Sequence, residues 1–344
     1  MGETGAHPSA EPAAEPAIAP GFDVHAMALF LDGRHREFRE RIRRILSRPQ
    51  FAYRYGLSRG RYRDLVMRWL RELADEGLGL VGFPAEFGGG NDPAGGVVVF
   101  ETLAFGDLSL LVKFGVQFGL FGGAIAQLGT RELHVRYLHR VATLRLPGCF
   151  ALTETGHGSN ARDSQTSARY DPRARRFILR TPDDSARKDY IGNAAVHGRE
   201  AVVFAQLEVG GQPRGVHALL VPIRDAAGRS RPGVRIEDCG EKLGLNGVDN
   251  GRLWFDDVHV PREALLDRFG GVAEDGTYAS SIQDPSARFF AMLGALVQGR
   301  VSIAAAAVSA TKSALTIAVR YGEHRRQFGP PGGEETPIAL GADG

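Results

Sequence analysis

Hydrophobic positions recur with a helical period over the first part of the chain and with a strand period over the middle, and the change falls at Gly148. Between Asp64 and Leu78 the run LVMRWLRELADEG puts Leu65, Val66, Trp69, Leu70 and Leu73 on one helical face, and Gly77 suits a helix stop. GFPAEFGGGNDPAGG, residues 82–96, is dense in helix breakers and predicts a loop. The apolar stretches 97–105 and 109–128 predict buried helices.

From Gly148 onward short alternating runs are separated by turn signals. Residues 166–171 meet Pro172 and return as 176–181. Residues 201–210 turn at Gly210 and Gly211 and return as 216–224. The runs 233–239 and 251–261 follow. This pattern predicts an antiparallel sheet or small barrel of about a hundred residues. Helix returns where Asp284 can cap and Pro285 can take the first helical position. Its pattern continues from Ser286 to about Gln327, roughly 60 Å if unbroken, until GPPGGEETP ends it. The alanine- and leucine-rich faces of that helix need burial, which asks for further sequence or another subunit. The expected fold class is therefore α+β and multidomain: a disordered tail (1–21), an N-terminal all-α domain (22–147), a central antiparallel β-barrel or sheet domain (148–273), and the first long helix of an incomplete C-terminal helical bundle (284–344).

Composition narrows the picture modestly. The formal net charge of +2 points to neither nucleic acid nor an anionic membrane as partner. No uninterrupted run of about 18 apolar residues is present, which predicts no membrane span. MGETGAHPSAEPAAEPAIAP has neither a basic nor an apolar signal region, and its Ala/Pro/Glu content predicts disorder. Cys149 and Cys239 form no disulfide scaffold and no metal-binding spacing, which suits a reducing compartment. Lysine occurs only at Lys113, Lys188, Lys242 and Lys312, so arginine dominates the basic residues, as codon bias in a GC-rich genome would produce.

The stretch GCFALTETGHGSN, Gly148 to Asn160, carries the candidate chemistry. Its GHGSNA fits a dinucleotide-binding glycine turn, but that motif needs a helix directly after the glycines. ARDSQTSARYDP has no helical stripe and leads into a hairpin, so the context fails. The other reading is a strand end at which Gly156 and Gly158 let backbone N–H groups approach a ligand. Thr153 and Ser159 add hydroxyls for ring carbonyls or phosphate oxygens. On these residues alone, a cofactor cradle and a plain strand with a glycine turn both stand. Glu241, Asp249 and Asp256 read as surface or turn residues without an evident partner.

CFALTETGHGSN resembles the flavin-binding signature of the acyl-CoA oxidases, relatives of the acyl-CoA dehydrogenases. His157 and Asn160 stand where the dehydrogenases usually carry Ala and Asp. KDYIGNAA from Lys188 is similar to the family's K-x-W-I-x-N segment, with Tyr190 in place of Trp. GEKLGLNGVDNG from Gly240, VPREALL from Val260, DGTY at Asp275 and RRQFG from Arg325 resemble further oxidase segments, in order, from about Leu65 to Phe328.

The resemblance implies FAD as cofactor. Thr153 would contact the flavin edge and Ser159 the pyrophosphate, while Tyr190 and Gly192 would line the flavin face. Arg325 and Phe328 would reach FAD across a dimer interface, and Arg300 would lie in the substrate region. His157 reads as structural. Arg325 and Arg326 also suit a helix's last turn, where cations complement the dipole. The implied reaction takes a fatty acyl-CoA and molecular oxygen to trans-2-enoyl-CoA and hydrogen peroxide, the first step of β-oxidation. The family's catalytic glutamate lies beyond the point matching Gly344, and Gly299 stands where some dehydrogenases carry it, so no catalytic base is assigned. The alternatives are a non-catalytic flavoprotein subunit or remnant, and a dehydrogenase that passes electrons to a carrier flavoprotein. The expected assembly is a homodimer or a pairing with a completing subunit. The expected location is a bacterial cytosol, or the peroxisome in a eukaryote.

Overall fold

The computed structural model describes residues 21–329 and 331–338. The tail expected to be disordered lies outside them except for Gly21, as does the end of the chain from residue 339.

Seven α-helices among the described residues precede the first strand: α1 (Val24–Asp32), α2 (Arg36–Leu46), α3 (Arg59–Asp75), α4 (Pro93–Leu103), α5 (Leu108–Phe114), α6 (Gly122–Leu128) and α7 (Arg131–Ala142). In α3 Ser58 caps the first turn, and Leu65, Val66, Trp69, Leu70 and Leu73 are all buried. Gly77 then takes the left-handed conformation (φ 77°) that suits glycine. The loop expected over residues 82–96 is shorter than the breaker count suggested. Asp92 accepts the Gly95 N–H at 2.7 Å, and Pro93 opens α4. Two glycines inside the first turn of α4 hid this start.

A π-helical segment, Gly115–Phe121, joins α5 to α6. The resulting helix, Leu108–Leu128, is long and apolar enough to cross a membrane by length and composition, and so is Pro285–His324. This corrects the expectation that no such stretch exists; polar Ser109, Lys113 and Gln117 had interrupted the run. The first helix is 67% buried within the protein, and its polar side chains find partners there. Gln117 Nε2 donates to the carbonyls of Val141 (3.2 Å) and Leu146 (3.0 Å), and its Oε1 accepts the Gly148 N–H (2.9 Å). Gly148 lies against the Phe121 ring so closely that a Cβ would stand 2.1 Å from it.

The β domain holds β1 (Gly148–Ala151), β2 (Ser167–Asp171), β3 (Arg176–Arg180), β4 (Lys188–Ile191), β5 (Glu200–Val209), β6 (Gln212–Pro222), β7 (Val234–Asp238), β8 (Gly251–Phe255) and β9 (Val258–Pro261), with a small ribbon of β10 (Gly271–Val272) and β11 (Tyr278–Ala279). One sheet runs β1-β5-β2-β3-β9, with β6 also on β5; a second runs β4-β8-β7. The two hairpins read from the sequence are present. The expectation of a purely antiparallel sheet is corrected, because β1 and β2 both pair with β5 in parallel. Such pairings join segments distant in sequence, so local turn signals do not report them. The run 251–261 also divides at Asp256 and Asp257, sending β8 and β9 to different sheets. Phe177, Leu179, Val203, Leu219, Leu253 and Phe255 fill the core between the sheets. Val202, Phe204 and Leu220 face the other way, onto Phe121, Leu138 and Met292.

The expected long helix is divided at Gly294 into α8 (Pro285–Leu293) and α9 (Ala295–His324). Asp284 caps α8 as expected. The 30 residues of α9 span about 45 Å. Arg325 follows the helix in extended conformation rather than occupying its last turn. One side of α9 packs on α4, and Val301, Leu315 and Ile317 are exposed on its surface.

Buried ion pairs join the helical and β layers. Lys113 Nζ donates to Asn193 Oδ1 (2.7 Å) and pairs with the Asp249 carboxylate, with all three side chains buried. Asp249 Oδ2 accepts the N–H groups of Val196 (3.0 Å) and His197 (2.8 Å). Asp249 is thus no surface residue, which corrects the sequence expectation: its partner lies 136 residues earlier. Burial opposes its ionisation, but Lys113 and His197 outweigh that and hold its carboxyl below the usual range. Burial in turn pulls Lys113 down. A second tie runs from Arg63 in α3, whose guanidinium forks onto the Asp238 carboxylate.

Replacing Lys113 with Met leaves the buried Asp249 carboxylate without its ammonium partner and is expected to cost about 3–5 kcal/mol in urea unfolding. The same change at exposed Lys312 is expected to stay within about 0.5 kcal/mol. The hydrogen bond from Arg63 holds the Asp238 carboxyl at about 2, against the opposing effect of burial. A carboxyl lower in the folded than in the unfolded state contributes stability at neutral pH that is lost as pH falls from about 4 toward 2. The expected outcome is that D238N lowers the melting temperature at pH 7 and narrows its gap to the unsubstituted chain by pH 2.

Candidate functional site

Beyond β1 the chain passes through Leu152 and Thr153 to Glu154, whose side chain is buried. The Glu154 carboxylate accepts the N–H groups of Gln165 (2.7 Å) and Thr166 (2.9 Å) and pairs with Lys188 Nζ (2.9 Å). Lys188 also donates to the Leu152 carbonyl (3.1 Å). Burial draws the Lys188 ammonium down to about 8, with Glu154 opposing. Burial likewise works against ionised Glu154, but Lys188 and the two amide donors keep its carboxyl below the usual range. The pair anchors the base of the glycine turn.

The turn itself closes through backbone groups. Glu154 and His157 exchange N–H···O bonds (3.3 and 3.1 Å), and Gly156 N–H donates to the Ser185 carbonyl at 2.8 Å. The N–H groups of Gly158, Ser159 and Asn160 have no partner among the described residues, nor do the Thr153 and Ser159 hydroxyls. Ser159 is exposed and Thr153 half-buried. A short 3₁₀ turn and then β2 follow, not a helix, so the dinucleotide-turn reading is excluded.

Thr153 and Tyr190 lie on adjacent segments, since Asp189 N–H donates to the Thr153 carbonyl at 3.1 Å. Tyr190 has a left-handed backbone (φ 56°) and a ring 65% exposed. Asp189 Oδ1 accepts the Tyr190 N–H (2.9 Å), and Asn250 Nδ2 donates to the Tyr190 carbonyl (2.7 Å). The other Asp189 oxygen accepts the Thr155 hydroxyl at 2.9 Å. Burial raises the Asp189 carboxyl, but these donors, with Arg252 and Arg187, bring it below its ordinary value. Gly192 is buried, and a Cβ there would stand 2.8 Å from Val116 Cγ2.

Val116 also lines a cavity of about 710 Å³ between α4, the π-helical segment and α9. Phe83, Phe100, Phe114 and Phe118 give it an apolar wall. Gln298, Gly299 and Arg300 come from α9, and Arg300 is the one charged side chain among the described lining residues. A Cβ at Gly299 would meet open space. Arg325 and Phe328 are exposed, with backbone bonds to Tyr321, Ile338 and Thr336. Thr153, Tyr190, Gly192 and the cavity are thus brought into one region, whereas Arg325 and Phe328 are held by local contacts at the far end of α9.

Three family models match consecutive parts of the chain. The acyl-CoA dehydrogenase N-terminal domain matches residues 32–145, its middle domain 149–258, and the acyl-CoA oxidase C-alpha1 domain 293–339. The chain is 44% identical over 322 residues to acyl-coenzyme A oxidase 2, peroxisomal, of Arabidopsis thaliana, covering 91% of this chain and 46% of that protein. The crystal structure of acyl-CoA oxidase 1 from Yarrowia lipolytica superposes with a TM-score of 0.81 at 32% identity, covering 92% of this chain and 45% of that one. Acyl-CoA oxidase-2 of Caenorhabditis elegans, solved with FAD, ascaroside-CoA and ATP, superposes with a TM-score of 0.77 at 27% identity, covering 92% and 47%. The chain belongs to the acyl-CoA oxidase family. It spans about half the length of the relatives it matches.

In this chain the polar groups that build the site were not singled out by sequence reading. Glu154, Asp189 and Asn250 lie inside quoted motifs, but nothing local marks them as buried or paired. Lys188 and Lys113 carried one available signal: they are two of only four lysines, and each sits among apolar or motif residues. Replacing Glu154 with Gln is expected to speed hydrogen exchange at the Gln165 and Thr166 amides by about tenfold or more, the loss of one charged hydrogen bond. Exchange at β5 amides is expected to change far less; equal acceleration in both places would contradict an anchoring role.

Proposed function

We propose that the chain binds FAD and a fatty acyl-CoA as the flavin- and acyl-binding part of an acyl-CoA oxidase. The observation that carries this reading is a hydroxyl-and-tyrosine shelf sharing a wall, through Gly192 and Val116, with a large apolar cavity. The donor set fits a flavin. Among the described residues the Thr153 and Ser159 hydroxyls and the amides of Gly158 to Asn160 have no partner, and Tyr190 offers a flat ring. Thr153 would meet the ring edge, Ser159 and the turn amides the pyrophosphate, and Tyr190 the ring face. Gly192 acts by letting β4 approach Val116. Arg325 and Phe328 would serve the cofactor of a second copy.

FAD, when bound, supplies the hydride acceptor for oxidation at the acyl β-carbon. The chain's own contribution is binding and orientation. The phenylalanine-lined cavity accepts the acyl tail and excludes water, and Arg300 offers a cation at the cavity wall for the anionic or carbonyl end of the substrate. No carboxylate lies among the described lining residues, so a base for the α-proton is not supplied from this wall. That observation favours, as second reading, a chain that binds flavin without turning substrate over. The oxidase rather than dehydrogenase assignment rests on the C-alpha1 match and on relatives named as oxidases. The relatives' names support a peroxisomal setting in a eukaryote; the arginine-rich composition supports a bacterial cytosol.

The test is the visible spectrum of the purified chain titrated with FAD, followed by palmitoyl-CoA without oxygen. Saturable binding with a Kd on the order of micromolar is expected, with little bleaching of the flavin band. Absence of any FAD binding would overturn the reading. Prompt bleaching would show that the chain carries a base.

A further inference from the structure

Tyr190 combines two features that seldom occur together. Its backbone is left-handed, a conformation in which Cβ crowds the following carbonyl oxygen of any residue with a side chain, and Tyr190 is 65% exposed to solvent. Burial of the ring therefore does not compensate the strain. Asn193, three residues on, is left-handed as well (φ 67°). Strained backbone persists only where its surroundings over-determine it, and here the restraints are specific. The Tyr190 N–H is held by Asp189 Oδ1 at 2.9 Å and its carbonyl by Asn250 Nδ2 at 2.7 Å. Both partners are themselves fixed. Asp189 is buried, donates its N–H to Thr153 and accepts the Thr155 hydroxyl. Asn250 follows Asp249, which Lys113 holds in the interior.

We propose that Asp189 and Asn250 form a clamp that holds Tyr190 left-handed, so that its ring stands out of β4 as the stacking face for the flavin. Both are positioning residues, and the purpose assigned to the clamp rests on the flavin reading above. In an ordinary extended strand the side chain at 190 would take a different direction, because the sign of φ sets where Cβ points relative to the sheet. The same Asp189 carboxylate also grips Thr155, so the ring and the glycine turn are set relative to each other by one group. The arrangement explains why an Asp–Asn pair at 249–250 serves two ends: Asp249 fixes the loop after Tyr190 from inside, and Asn250 fixes Tyr190 itself at the rim.

The clamp and its purpose are tested separately on the full chain. N250A removes a rim side chain and is expected to fold, as far-ultraviolet circular dichroism would report. With ¹³C-labelled tyrosine, the Tyr190 backbone carbon shifts are expected to carry the left-handed signature in the unsubstituted chain and to lose it in N250A. Retention of that signature in N250A overturns the clamp, whether or not flavin binds. D189N keeps an acceptor oxygen and is expected to retain the signature more fully than D189A. With FAD added, the stacked tyrosine quenches flavin emission. Fluorescence per bound flavin is expected to rise at least twofold in N250A, toward the value of Y190L. Equal quenching in N250A and the unsubstituted chain would overturn the assigned purpose. If the unsubstituted chain takes up no FAD, the flavin reading and the purpose built on it both fall, and the carbon shifts still decide the clamp.

Discussion

The buried contact among Lys113, Asp249 and Asn193 is the constraint on which the rest of the arrangement depends. A lysine and an aspartate fully removed from water are costly, and only mutual pairing with complete hydrogen bonding makes them tolerable. The protein meets that condition by drawing together three distant segments: the helix carrying the cavity wall, the loop that follows Tyr190, and the loop that precedes β8. Each of the three could shift against a purely apolar interface. A charged hydrogen-bonded contact allows one register, so the distance between shelf and cavity is set from inside the molecule.

Around that point the two layers are fastened by polar side chains that each reach more than one segment. Gln117 holds α7, the linker after it and β1 together. Glu154 and Lys188 bind the glycine turn to β4. Arg63 and Asp238 bind α3 to β7. Apolar packing supplies most of the driving force for such a fold, but it is non-directional. The polar fasteners supply direction where a cofactor-sized surface has to keep its shape.

Much of this architecture was legible in the sequence because it is written in local periodicity. The face of α3, the cap at Asp284, the two hairpins and the change of texture at Gly148 all follow from neighbours in the chain. What was not legible depends on distant residues. The parallel pairing of β1 and β2 with β5 leaves no turn between partners, and the division of 251–261 between two sheets looks like one strand. Asp249 resembles any loop carboxylate until Lys113 is seen beside it. In the candidate site, Thr153, Ser159 and Tyr190 stood out by residue type within a motif. Asp189 and Asn250 did not, because their part is to hold a neighbour's backbone.

The π-helical segment has a consequence for how this chain tolerates change. A π turn accommodates a residue more than the α-helix would, so the segment after it is rotated by about 100° relative to an unbroken helix. Within this stretch Val116 lines the cavity and Phe121, five positions on, stands against Gly148. Deleting one residue between 115 and 121 would remove the residue that the π turn absorbs and restore ordinary winding, with α6 keeping its place against the sheet beneath it. A one-residue change of length is therefore absorbed at this turn, whereas the same change inside α6 would turn its buried face away from the sheet.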